Sequence, residues 1–222
     1  MYEELVIPVY LINLPERKDR LKHSMTQFKD KSEFYITIIE ACKHERGNYG
    51  LWMSIVKAVK MAKDNDDDVM ILCEDDHKFT SDYTKEILFR NIIESNEEGA
   101  KILLGGVSNF NQAIPLSTNR CWVDFFQYTQ FAIIFKSFFD EILSEPFGAE
   151  DVADLKFSHM TSHKMIFYPF ISVHKDFGYS DIPVPGLDTA QYSLLFENSM
   201  KKLDKIYQVK EKLKACTIQG DQ

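Results

Sequence analysis

DVMILCEDDHKF, residues 68–79, carries a short apolar run, Val69 to Cys73, that ends in three consecutive acids: Glu74, Asp75 and Asp76. An apolar run of this length, bounded by polar residues, reads as a buried strand. Three adjacent carboxylates at its carboxyl end repel one another unless a cation answers them. The flanking sequence supplies the rest of a sheet. LVIPVYLINL (5–14) is a first strand, and Pro15 suits the first turn of a helix with Leu21, Met25 and Phe28 on one face. FYITIIEA (34–41) is a second strand. YGLWMSIVKAVKMAKDN (49–65) places Trp52, Ile55, Val56, Val59 and Ala62 at helical spacing. A helix follows with Ser81 as N-cap, and AKILLGG is a fourth strand ending in Gly105-Gly106.

Strand and helix alternate, which predicts an α/β fold: a Rossmann-like mixed, mostly parallel sheet with helices on both faces. Ligands bind such sheets beyond the carboxyl ends of the strands. The acids stand there. Asp64, Asp66, Asp67 and Asp68 precede the strand, at its opposite end, and read as a solvated turn. The second half is less regular. It offers a strand near Gln130–Phe135, a helix over 136–143, a strand in MIFYPFISVHKD (165–176), a proline-rich loop over 178–188 and a helix over 190–215. No repeat, low-complexity segment or linker divides the chain.

The bulk numbers narrow the function. A chain of 222 residues, 45% hydrophobic and 27% charged, is one sizeable domain of ordinary soluble composition. A net charge of -8 argues against nucleic acid, whose phosphates demand a basic surface. A small phosphorylated ligand needs only local charge. Cys42, Cys73, Cys121 and Cys216 are scattered without metal-type spacing and read as free thiols. The opening lacks a basic segment and cleavage site, and no apolar run approaches the ~20 residues of a membrane span. The expected location is the cytoplasm, peripheral to the membrane if the tail binds lipid.

A divalent metal, Mg²⁺ or Mn²⁺, is the economical answer to the three acids, and it would in turn hold a diphosphate. Arg17, Lys18 and Arg20 follow the first strand at a helix start, where cations and free N–H groups favour phosphate or a nucleobase edge. An exposed basic helix face is the other reading of the same three residues. A receiver-type phosphoryl-transfer domain places its acid pair after the first strand, whereas here that strand ends in NLPER.

VYLINLPERKDRL (9–21) resembles the opening of glycosyltransferase family 25, the lipopolysaccharide-type galactosyltransferases. GNYGLWMS (47–54) is similar to a further segment of that family through Gly47, Gly50 and Ser54. VMILCEDD, KILLGG and the closing Ser180-Asp181-Ile182 follow in the family's order, so the resemblance runs from Val9 to Ile182. The family's histidine after Ser54 is Ile55 here, and His174 stands where a glutamine is usual. The resemblance implies a GT-A fold over 1–188, with a nucleotide-sugar half (1–106), an acceptor-side half (107–188) and a helical tail (189–222). It implies inverting transfer of galactose or glucose from a UDP-sugar to a glycan or lipid-linked glycan acceptor of the cell surface. On it, Asp76, with Glu74 and His174, is expected to hold the metal. Asn13, Leu14, Arg17, Arg20, Ser54, Glu74 and Asp75 are the expected donor contacts. The stretch GAEDVADLKF (148–157) is expected to supply the general base, Asp151 first and Glu150 next, with Asp154 nearby. Acids at a helix start also occur without chemistry. Tyr128, Thr129 and Gln130 read either as a sugar pocket or as core. The lysine-rich tail reads either as a helix docked on the domain or as one lying on the inner membrane surface. A non-catalytic nucleotide- or glycan-binding member of the same fold is the alternative to an enzyme.

Overall fold

The computed structural model describes residue 2 and residues 4–179 and 191–220, with side chains through 216. Ser180, Asp181, Ile182 and the division expected at 188 lie outside the described residues. The first half alternates as the patterning predicts: β1 (Ile7–Asn13), α1 (Lys18–Phe28), β2 (Phe34–Glu40), α2 (Gly47–Asp64), β3 (Val69–Glu74), β4 (His77–Phe79), α3 (Lys85–Glu97) and β5 (Ile102–Leu104). The second half adds β6 (Ala113–Pro115), β7 (Arg120–Val123), β8 (Phe131–Phe135), α4 (Lys136–Ser144), α5 (Ala153–Met160), β9 (Lys164–Phe167), β10 (Ser172–His174) and α6 (Tyr192–Gly220).

Eight strands form one sheet in the order β2-β1-β3-β8-β5-β9-β7-β6. β8 and β7 run against the other six, so the sheet is mixed with one prevailing direction. The halves expected at 106/107 share this sheet, because β8 lies between β3 and β5. Alternate residues of β1 serve the two faces. Tyr10 and Ile12 join α2, α4, α5 and α6 in one core, and Val9 and Leu11 join α1 and α3 in the other.

Two local expectations fail. Pro15 lies in a turn ahead of α1. The buried residues of α1 are Arg20, Ser24 and Phe28, while Met25 is exposed and Leu21 only half-buried. Arg20 and Ser24 face inward because the acid loop offers them partners. The N-cap of α3 is Thr84, whose hydroxyl accepts from the Ile87 N–H at 3.1 Å, and not Ser81.

MIFYPFISVHKD makes two strands, not one, broken at Tyr168-Pro169. The second, β10, leaves the main sheet and pairs antiparallel with β4, setting His174 opposite His77. Gly105 and Gly106 permit this crossing. A Cβ on Gly106 would stand 2.1 Å from the Ser172 carbonyl oxygen, which is backbone and cannot give way. Gly106→Ala is expected to destabilise the fold by roughly 1–3 kcal/mol, read as a lower urea midpoint. An unchanged midpoint would show that β10 can shift freely.

Candidate functional site

A cleft of about 1300 Å³ opens at the carboxyl ends of β1, β2 and β3, the end the strand pattern predicts. Asn13 and Leu14 from the end of β1 line it, with Arg17 before α1, Gly47 at the start of α2, the three acids after β3, the 127–129 segment, Asp154 and one side of α6.

The acids divide by partner. Asp75 is buried: its Oδ1 accepts from Arg20 at 3.0 Å and its Oδ2 from Asn13 Nδ2 at 2.9 Å. Ser24 Oγ donates to the Asp75 carbonyl at 2.9 Å, which pins the loop to α1. Asp76 Oδ2 lies 3.2 Å from Arg20 Nη1 and 3.5 Å from His174 Nε2. Burial works against the Asp76 carboxylate, yet His174 and Arg20 hold it below its usual range. Burial and the Asp76 charge raise Asp75 despite Arg20. Glu74 turns the other way, accepting from Thr129 Oγ1 at 2.8 Å. Burial first, and Asp76 second, push it up to about 8.

The expected metal set of Asp76, Glu74 and His174 therefore resolves into a pair, Asp76 with His174, and Glu74 on its own. Among the described residues no three His, Cys, Asp or Glu side chains form a complete cage. The pair still suits a hard divalent ion, which takes one or two protein ligands and completes its shell with water and phosphate oxygens. His174 Nδ1 is buried without a hydrogen-bond partner.

Several expected donor contacts have other work. Arg20 is buried, and besides Asp75 and Asp76 its guanidinium donates to the Tyr179 carbonyl at 2.5 Å and lies over the Phe177 and Tyr179 rings. Its charge serves the acids rather than an incoming phosphate. Ser54 accepts from the Cys42 N–H at 2.8 Å and donates to the Gly50 carbonyl at 2.7 Å, so it braces the 42–50 loop beside the cleft. Gln130 donates to the Gly106 and Ser172 carbonyls beneath the site. All the expected donor contacts, Asn13, Leu14, Arg17, Arg20, Ser54, Glu74 and Asp75, line the cleft.

The base expected at Asp151 or Glu150 does not line the cleft. Asp151 accepts from the Gly148 N–H at 2.7 Å and pairs with Lys156 at 3.1 Å, which holds it below the usual carboxylate range. Asp154, three residues on, is the acid that turns inward. Its Oδ2 accepts from the Tyr128 N–H at 2.8 Å, and burial raises its pKa. Tyr128 holds a left-handed φ of 78°, a strained conformation for a bulky residue that costs about 1–3 kcal/mol. The strain gives one short turn two bonds: Tyr128 N–H to Asp154 and Thr129 hydroxyl to Glu74. Nothing in the sequence ranks Asp154 above Asp151. Its apolar neighbours Val152 and Ala153 were the available hint of burial.

No protein-family model matches the chain, and no curated protein matches it in sequence. Solved structures do match in shape. "A197 from STIV" overlays 82% of this chain and 100% of its own, with a TM-score of 0.53 at 12% identity. An apo UDP-glucose pyrophosphorylase covers 89% of this chain and 82% of that one (TM-score 0.47, 11% identity). The nucleoside-diphosphate-sugar pyrophosphorylase from Vibrio cholerae RC9 covers 86% and 80% (TM-score 0.38, 12% identity). The first likeness is one of fold.

Proposed function

We propose that the chain binds a nucleoside diphosphate sugar in this cleft and transfers the sugar to a glycan, as an inverting hexosyltransferase of the glycosyltransferase family 25 kind. One observation carries the reading. The 128–129 turn ties Glu74 of the acid loop to a separate, half-buried carboxylate, Asp154, in a cleft large enough for a nucleotide sugar. An inverting transfer needs those two poles: one would hold the cation that stabilises the leaving diphosphate, and the other takes the acceptor's proton.

In this reading Asn13, Leu14 and Arg17 receive the nucleoside and its phosphates. Asp76 and His174 hold Mn²⁺ or Mg²⁺. A divalent ion bound there neutralises charge on the departing diphosphate. Arg20 opposes the burial that raises Asp75, and Asp75 orients Asn13. Asp154 removes the proton from the acceptor hydroxyl, and its burial brings its pKa closer to the working pH.

One observation favours a second reading. Arg20 already bridges Asp75 and Asp76, so the site has a cation of its own and suits a metal-independent, non-catalytic nucleotide binder. Calorimetric titration with UDP, UDP-glucose and UDP-galactose, with and without Mn²⁺, separates the two. The enzyme reading expects Mn²⁺-dependent UDP binding, weakened about tenfold or more in Asp76→Asn. Metal-independent binding without sugar transfer would establish the second reading. No UDP binding under either condition would refute both for this nucleotide.

A further inference from the structure

Helix α6 begins as a wall of the cleft and continues past it. Leu195, Ser199 and Lys202 line the cleft. Ile206, Val209 and Leu213 follow at alternating spacings of three and four residues, so all six lie along one stripe. The stripe changes character as it leaves the cleft. Ile206 packs on the core, but Val209 is 55% exposed and Leu213 64% exposed. Strand β6 and the turn after it lie alongside, joined to α6 by the Lys210 ammonium donating to the Ser117 carbonyl at 3.1 Å, and they expose Ile114 and Leu116 as well. Lys205 and Lys212, both exposed, border one edge of the stripe, with Lys210 and Lys214 on the other. Asp204 falls on the remaining side, as does Glu211, which pairs with Lys214 at 3.0 Å. In a chain of net charge -8 this is a local concentration of the opposite sign.

We infer that the exposed half of α6, with the neighbouring edge of β6, docks on an anionic lipid surface and aims the open end of the cleft at that surface. An apolar stripe bordered by lysines buries its apolar side at the headgroup boundary and answers anionic headgroups with its flanks. A second copy of this chain would also cover Val209 and Leu213, but it would bring the lysines of two copies together. The docking does not depend on the donor reading. Only the delivery of a lipid-borne acceptor along the stripe rests on it.

Flotation with phosphatidylcholine vesicles, with and without phosphatidylglycerol, tests the inference on the full chain. Binding is expected only with phosphatidylglycerol, and it should fall steeply as salt rises. K205Q/K212Q is expected to lower it on the order of thirtyfold, and V209S/L213S about tenfold or more. These positions are exposed, so circular dichroism should show both variants folded and UDP titration should be unchanged. Equal binding to neutral vesicles would overturn the charge argument. Absence of binding to either vesicle, or sedimentation showing a dimer that V209S/L213S abolishes, would overturn the inference. Neither result would touch the donor site, whose own test is the UDP titration.

Discussion

Replacing Arg20 with Met is expected to lower the stability of the fold by about 3–5 kcal/mol, because it leaves buried carboxylates without their cation. For a chain of this size the shift in Tm is about 6–20 °C. The structure makes this the largest stability effect at the site. Asp75 is buried beside Arg20, Asp76 lies nearly as deep, and the guanidinium reaches both. Arg20→Lys should recover only part of the loss, since an ammonium that takes the place of Nη1 between the two carboxylates leaves the Tyr179 carbonyl without the donor that Nη2 supplies. The combination Arg20→Met with Asp75→Asn should be less destabilised than the sum of the single changes, because one of the two charges that needed compensation is gone. Thermal or urea denaturation of the four proteins checks this. A loss below about 1 kcal/mol in Arg20→Met would mean that water reaches the acids and that Arg20 is no anchor of the loop.

That role explains which parts of the molecule were legible beforehand. β1, β3 and α2 announce themselves because apolar residues recur at periods of two or near 3.6, and burial follows the pattern. The face of α1 does not, because periodicity counts only apolar residues. Leu21 and Met25 look like its core. The true inward residues, Arg20 and Ser24, are chosen by an acid loop more than fifty positions away. β4, β6 and β7 are three or four residues long, too short to carry a period. The departure of β10 from the sheet depends on its pairing with β4, a contact between distant segments. As a capping residue Ser81 ranks above Thr84, so propensity favours the wrong one. Tertiary contacts decide between them: Thr80 is anchored to the Phe170 carbonyl, and Tyr83 reaches back to Glu33. At the site, the strand-end acids were legible from position alone, and so was the nearness of His174 to Asp76 from the resemblance. Asp154 was not, because three acids within five residues look alike until burial separates them.

Asp154→Asn is expected to lower sugar transfer by about 10²–10⁴-fold while leaving UDP binding unchanged, the range a positioned general base contributes. Both Asp154 oxygens accept backbone N–H bonds, Oδ2 from Tyr128 and Oδ1 from Leu155; asparagine keeps the shape, and with its oxygen on the Tyr128 side the 128–129 turn and the Thr129–Glu74 bond keep their partners while the Leu155 bond is lost. What it lacks is the basic oxygen. Asp151→Asn should stay within a few-fold of the parent, because Asp151 is tied to Gly148 and Lys156 away from the cleft. The pH profile adds a second check. Burial raises the Asp154 pKa above its ordinary value, and a base works only when deprotonated. Activity should therefore be lost, as pH falls, at a higher pH than an exposed aspartate would give. Transfer assays with UDP-hexoses and a glycan acceptor, paired with calorimetry on the same variants, separate chemistry from binding. If Asp154→Asn transfers normally and Asp151→Asn does not, the acceptor approaches from outside the cleft. If both transfer normally, the proton leaves by another group. If Asp154→Asn loses UDP binding together with transfer, the residue braces the donor site, and the two-pole account of the cleft fails.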